Sequence, residues 1–145
     1  MKQVRAFIFD LDGTLLDTIG DIAASMNHVL ASNGLPVHTR EQYLDFVGDG
    51  LDMLAGRSLP EDRREHAFVL KMVTQMRQEY ARRWADTSRP YPGVPELLDA
   101  LSAKGFILAV LSNKLDSFTK DMVSALLAGW KFHEVRGLDV GTPRK

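Results

Sequence analysis

The stretch Phe7-Ile8-Phe9-Asp10-Leu11-Asp12-Gly13-Thr14 constrains this chain more than any other. An apolar run from Val4 to Phe9, broken only by Arg5, stops at two aspartates one residue apart. A run that short and that apolar predicts a buried strand. Carboxylates are seldom buried without a partner or a metal. The two acids are therefore expected at the C-terminal lip of the strand, where open parallel sheets bind ligands. Alternate residues of an extended chain share a face, so Asp10 and Asp12 are expected on one side.

Two plainer readings compete. Asp-Gly after a strand is often an ordinary turn. A calcium loop would need Gly at its sixth position and Glu at its twelfth. Those positions hold Leu15 and Asp21, and a strand rather than a helix precedes them.

After Asp17 the apolar period turns helical. Ile19, Ile22, Ala23, Met26, Val29 and Leu30 share one face, and Asn33-Gly34 stops it. Thr39 and Gln42 make a capping box for a second helix through Val47. Gly48-Asp49-Gly50 breaks that helix, and a short helix runs on to Arg57. Pro60 is expected to open a long helix bearing Val69, Leu70, Val73, Met76, Tyr80 and Trp84. Residues 18–86 thus read as four helices without a strand.

Thr87 to Gly93 reads as a linker. Helix and strand then alternate: a helix from Val94 to Lys104, a strand from Phe106 to Leu111, a helix from Asp116 to Ala128, and a strand from Lys131 to Val135. Such alternation predicts a parallel α/β sheet. The expected domains are a core of residues 1–17 and 87–145, and an inserted helical unit of residues 18–86.

The first motif, with Leu16-Asp17-Thr18 after it, resembles the signature of the haloacid dehalogenase superfamily, most of whose members are phosphatases. The resemblance implies a Rossmann-like parallel core, incomplete here, with an inserted α-helical cap hinged near Asp17-Thr18 and Thr87. Phe46-Val47-Gly48-Asp49-Gly50-Leu51, Arg57-Ser58-Leu59 and Pro90-Tyr91-Pro92-Gly93-Val94 are similar to the phosphoglycolate phosphatase subgroup. The resemblance implies Asp10 as nucleophile, Asp12 as acid and base, and both as ligands of Mg²⁺. A carboxylate oxygen can attack phosphorus, and a second acid can protonate the leaving oxygen. The second motif is Ser112-Asn113 after an apolar strand, and Ser112 and the Asn113 backbone are expected to bind the phosphoryl group. Thr142-Pro143-Arg144-Lys145 resembles the third motif, making Lys145 the lysine that offsets phosphate charge. Gly48, Asp49, Gly50 and Arg57 are candidate cap residues, with Arg57 either binding a substrate carboxylate or holding the loop.

The fourth motif, which would complete the metal site, has no counterpart in these 145 residues. The chain therefore reads as C-terminally truncated, with one edge of the first strand bare and open to self-association. The expected function is a magnesium-dependent phosphatase for a small phosphomonoester, 2-phosphoglycolate first. Sugar phosphates, nucleotides, pyrophosphate and phosphonates are the other substrates of this core. The activity is expected of the family, and the 145-residue chain by itself is expected to be inactive; the competing reading is that it acts at most as a fragment that binds phosphate or self-associates.

Composition adds exclusions. A net charge of −1 carries no attraction to nucleic acid or membrane. With no cysteine there is no disulfide, thiolate metal site or thiol nucleophile. No apolar run approaches bilayer length, and no secretory signal precedes the first strand, so a cytoplasmic location is expected. His28, His38, His66 and His133 lack metal-ligand spacing, and Trp84 and Trp130 are expected to pack.

Overall fold

A computed structural model describes residues 5–139 and 141–145. The chain divides into two compact units, one of residues up to Asp17 and from Arg89 onward, the other Thr18–Ser88.

The first unit is built on a three-stranded parallel sheet in the order β1-β4-β5, with β1 (Ala6–Phe9) at one edge, β4 (Ile107–Leu115) in the middle and β5 (Glu134–Leu138) beyond it. Helices α5 (Val94–Ala103) and α6 (Asp116–Leu126) make the crossovers. Their apolar faces, Val94, Leu98 and Leu101 on α5 and Met122 and Val123 on α6, are buried, as are Leu108 and Val110 of β4. Residue Phe9 pairs with Val110. Asp10 and Leu111 therefore leave the paired region side by side. After β1 the chain coils tightly: Leu15 and Leu16 both donate backbone N–H to Leu11 O at 3.0 Å. Gly13 takes φ +77° in this coil, a conformation that side chains with a Cβ rarely adopt. Leu11, Leu15 and Leu16 are fully buried, which anchors the loop carrying the two aspartates. A short antiparallel ribbon, β2 (Leu16–Asp17) with β3 (Arg89–Pro90), ends the unit.

The second unit is helical: α1 (Ile19–Ser32), α2 (Arg40–Phe46), α3 (Leu51–Ser58) and α4 (His66–Arg83). The six apolar residues predicted for α1 are all buried. The Thr39–Gln42 capping box forms in both directions, with Thr39 N–H donating to Gln42 Oε1 at 2.8 Å and Gln42 N–H to Thr39 Oγ1 at 3.3 Å. Tyr43 is buried with its ring edge-on to His38 and Phe46. Its hydroxyl donates to Asn27 Oδ1 at 2.7 Å, and burial pushes its ionisation far above the ordinary range.

Three element boundaries differ from the sequence reading. Pro60 opens only a 3-10 turn, Glu61–Arg63, and α4 starts at His66. Glu61 to Glu65 offers no apolar residue to pack, so nothing holds those residues on a helix axis. Within α4, Leu70 is 49 % exposed while Met72 is fully buried. Strand β4 runs on through Leu115, and β5 lies at Glu134–Leu138.

The reason for the shift of β5 is Gly137. A Cβ there would lie 2.5 Å from Asp116 Cα and 2.6 Å from Lys114 O. The glycine allows β5 to pass against the start of α6, and its N–H donates to Asp116 Oδ1 at 2.8 Å. That bond, the Lys120 side chain and its charge hold the Asp116 carboxyl below the ordinary carboxylate value.

Asp21 closes the helical unit. It is 2 % exposed and lies on α1, yet it accepts from the far end of the segment. The N–H and Oγ1 of Thr87 donate to it at 3.0 and 2.6 Å, and the N–H and Oγ of Ser88 at 2.8 and 2.7 Å. Burial alone would raise this carboxyl, but the four donors outweigh it and hold it below 3.8.

These contacts make two predictions about stability. Gly137→Ala forces Cβ into backbone and should cost about 1–3 kcal/mol, read as a lower denaturation midpoint. Asp21→Asn turns an acceptor-only group into one that also donates, and should cost on the order of 2–3 kcal/mol near neutral pH. The folded value of Asp21 is depressed, so its contribution is full above 3.8 and is lost as pH falls through the lower folded value. The stability gap between wild type and Asp21→Asn should therefore be constant from neutral pH down to about pH 5 and narrow below about pH 4. A gap independent of pH would show that the carboxylate charge does not close the unit.

Candidate active site

The C-terminal tips of β1 and β4 bring together Asp10, Asp12, Ser112, Asn113, Lys114 and Lys145. Asp10 Oδ1 accepts the Leu11 N–H at 2.8 Å, which orients the carboxylate at the strand end. The same oxygen lies 2.7 Å from Lys145 Nζ. Lys145 also donates from Nζ to Leu111 O at 3.0 Å and from its backbone N–H to Asn113 Oδ1 at 2.9 Å. The residue expected to offset phosphate charge thus sits at the expected nucleophile. Asn113 holds it there through its side chain, a role that the sequence motif does not signal.

Ser112 is 4 % exposed, and its Oγ accepts the Lys114 N–H at 3.1 Å. The side chain of Lys114 is 8 % exposed, and its ammonium lies 3.0 Å from Asp12 Oδ2. Sequence reasoning missed Lys114. The signal was available, because the residue stands two places beyond Ser112, but a lysine just after a strand is usually solvated. Two carboxylates and two ammonium groups therefore alternate around the tip, each acid beside a lysine. Both acids keep a partly open surface, 39 % for Asp10 and 22 % for Asp12.

This arrangement suits phosphoryl chemistry. A carboxylate at a strand tip can attack in line, a neighbouring carboxyl can pass a proton, and fixed cations can offset the equatorial charge. Asp10 and Asp12 also supply hard oxygen donors of the kind that Mg²⁺ takes while keeping several waters. Among the described residues no group of three or more His, Cys, Asp or Glu forms a metal cluster.

The other candidates lie in the helical unit. Arg57 donates from Nη2 to Asp49 Oδ2 at 2.6 Å and from Nη1 to Phe46 O at 3.2 Å. Of the two roles considered for it, this geometry fits the one that holds the loop. Gly48 and Gly50 flank Asp49 with φ of +116° and +94°, so the loop depends on both glycines. Trp130 donates from Nε1 to Asp99 Oδ1 at 2.8 Å, and His38 Nε2 lies 2.8 Å from Ser58 O.

The chain is similar to known proteins in sequence and in fold. The chain is 35% identical over 142 residues to a phosphoglycolate phosphatase of Mannheimia succiniciproducens, covering 94% of this chain and 63% of that protein. It is 33% identical to a phosphoglycolate phosphatase of Aquifex aeolicus, covering 98% and 64%. The chain thus spans a little under two thirds of the length of these relatives. Among solved structures, a protein assigned as a phosphoglycolate phosphatase from Lactobacillus delbrueckii subsp. bulgaricus superposes with TM-score 0.90 at 27% identity, over 99% of this chain and 69% of that one. CbbY from Rhodobacter sphaeroides, in complex with phosphate, superposes with TM-score 0.76 at 20% identity, a likeness of fold, over 99% and 67%. No helix among the described residues is long and apolar enough to cross a membrane. A family profile described as haloacid dehalogenase-like hydrolase matches residues 7–143, from the first apolar strand to the segment before Lys145, and the chain belongs to that family.

Proposed function

We propose that this protein is a magnesium-dependent phosphatase acting through an aspartyl phosphate, with 2-phosphoglycolate as its first-choice substrate. The observation that carries the reading is the pairing of Asp10 with Lys145 and of Asp12 with Lys114 at one strand tip. The substrate is suggested by what the relatives are called. An oxygen of Asp10 attacks phosphorus and the bond to the ester oxygen breaks. Asp12 gives that oxygen its proton. Water, deprotonated by Asp12, then cleaves the aspartyl phosphate and restores both acids. Ser112 and Lys145 hold the transferring group. Mg²⁺, bound by Asp10 and Asp12, would offset the repulsion between carboxylate and phosphate dianion.

The same reading extends to the domains. The unit of residues 18–88 serves as the cap, with the Arg57–Asp49 pair fixing its 48–50 loop, and the remainder is the core. The chemistry needs nothing outside the cytoplasm.

The decisive experiment is Asp10→Asn, a nearly isosteric change. In a full-length parent that carries the fourth motif, magnesium-dependent turnover of p-nitrophenyl phosphate should fall by roughly four orders of magnitude with the melting curve unchanged. Activity within about tenfold of wild type would remove Asp10 from the nucleophile's role.

A second reading is favoured by the exposed sheet. Strand β1 is an edge, with Ile8 70 % exposed and Ile107 and Leu111 of β4 at 46 % and 40 %. No charge or proline interrupts Ala6–Phe9 to discourage pairing. On this reading the chain holds phosphate without turnover and self-associates through β1. Sedimentation velocity should then show a concentration-dependent oligomer that Ile8→Lys disperses. A monomer at all concentrations would dismiss the association.

A further inference from the structure

We propose that Lys114 selects the leaving group, favouring phosphate esters whose alcohol carries a carboxylate one carbon from the ester oxygen. This rests on the phosphatase reading of Asp10 and Asp12 and assigns a specificity-determining residue within it.

The two lysines divide the site. Lys145 sits at Asp10, where the phosphoryl group is received. Lys114 sits at Asp12, the acid that must reach the departing oxygen. A proton passes only over hydrogen-bond distance, so that oxygen comes within about 3 Å of Asp12. The Lys114 ammonium is 3.0 Å from the same carboxylate. When the departing oxygen meets that same carboxylate oxygen, the ammonium lies within about 6 Å of it. In the ester of a 2-hydroxy acid, the carboxylate lies one carbon from that oxygen and can reach the ammonium.

The state of Lys114 suits the task. Its side chain is 8 % exposed, and the backbone N–H of the same residue is bonded to Ser112 Oγ. The cation is thus fixed and largely dehydrated before a ligand arrives, which strengthens its attraction for a second anion. An ammonium has three donors and can serve more than one acceptor, so pairing with Asp12 does not by itself bar it from a substrate carboxylate. A neutral alcohol offers that cation nothing. Arg57, the other candidate for the carboxylate, is already bound to Asp49 and Phe46 O.

Two non-hydrolysable phosphonates test this without turnover. 3-Phosphonopropionate replaces the ester oxygen of 2-phosphoglycolate by CH2, and propylphosphonate lacks its carboxylate. Calorimetric titration of the full chain in Mg²⁺ should show 3-phosphonopropionate preferred by about ten- to hundredfold, the scale of one charge-assisted hydrogen bond. Lys114→Met should reduce that preference to near unity, whatever it does to the affinity for propylphosphonate. Lys114→Arg should retain part of the preference. If Lys114→Met does not fold, Lys114→Gln is read in the same way. A preference that survives loss of the ammonium overturns the assignment. So does equal weakening of both ligands, which is what a purely structural lysine would give. Equal binding of the two phosphonates by wild type also sinks it, yet leaves the phosphatase reading standing. Failure of wild type to bind either one brings down that reading and this inference together.

Discussion

The parallel, in-register pairing of β1 with β4 is the constraint on which the candidate site depends. The backbone ladder from Ala6↔Ile107 to Phe9↔Val110 sets the relative height of the two strands. Asp10 and Ser112 then emerge at one tip although they lie far apart in sequence. A shift of one residue would send each side chain to the opposite face and break the arrangement of the candidate residues at the tip. The register is held from both sides of the motif. Leu108 and Val110 are buried in β4, and Leu11, Leu15 and Leu16 are buried beyond β1. The loop with two aspartates is thus fastened by three leucines, so the carboxylates can stay open while their backbone does not move freely.

Electrostatics then decides how two acids coexist there. Carboxylates placed close together repel each other and a phosphate dianion. Each has its own lysine, at 2.7 Å for Asp10 and 3.0 Å for Asp12. These lysines are held by different means. Lys145 is fastened through Asn113 and Leu111 O, whereas Lys114 is placed by the last residues of β4 and by burial. The Lys114 side chain is 8 % exposed against 31 % for Lys145, so the less hydrated cation is the one suited to discriminate between ligands.

The features legible in the sequence were those written in short range. The apolar stripe of α1, the Thr39–Gln42 box and the Asn33-Gly34 stop need only neighbouring residues, and all three form. The parallel sheet was legible from alternating patterns that each span one element. What was missed depends on contacts distant in sequence. Asp21 stands in the first turn of α1, and nothing near it in the sequence signals its partners. Its hydrogen bonds to Thr87 and Ser88 appear only once α4 returns the chain to α1. The strand expected over Lys131 to Val135 stops short of Gly137. In the fold it sits within β5, where α6 leaves no room for a Cβ.

Lys114 is the same kind of omission with a chemical consequence. By local pattern alone, Ser112-Asn113-Lys114 at the end of a strand reads as a helix cap and a solvated cation. In the fold, irregular pairing between Leu111 and Leu115 extends β4 past Ser112, and α6 begins immediately at Asp116. There is no intervening loop to carry Lys114 into water. Its ammonium must meet a partner at the tip, and Asp12 supplies it. The burial of Lys114 thus arises from the same close approach that requires Gly137, since the Lys114 carbonyl is one of the atoms a Cβ at 137 would strike. Backbone packing behind the sheet and charge placement in front of it are two effects of one tight junction between β4, α6 and β5.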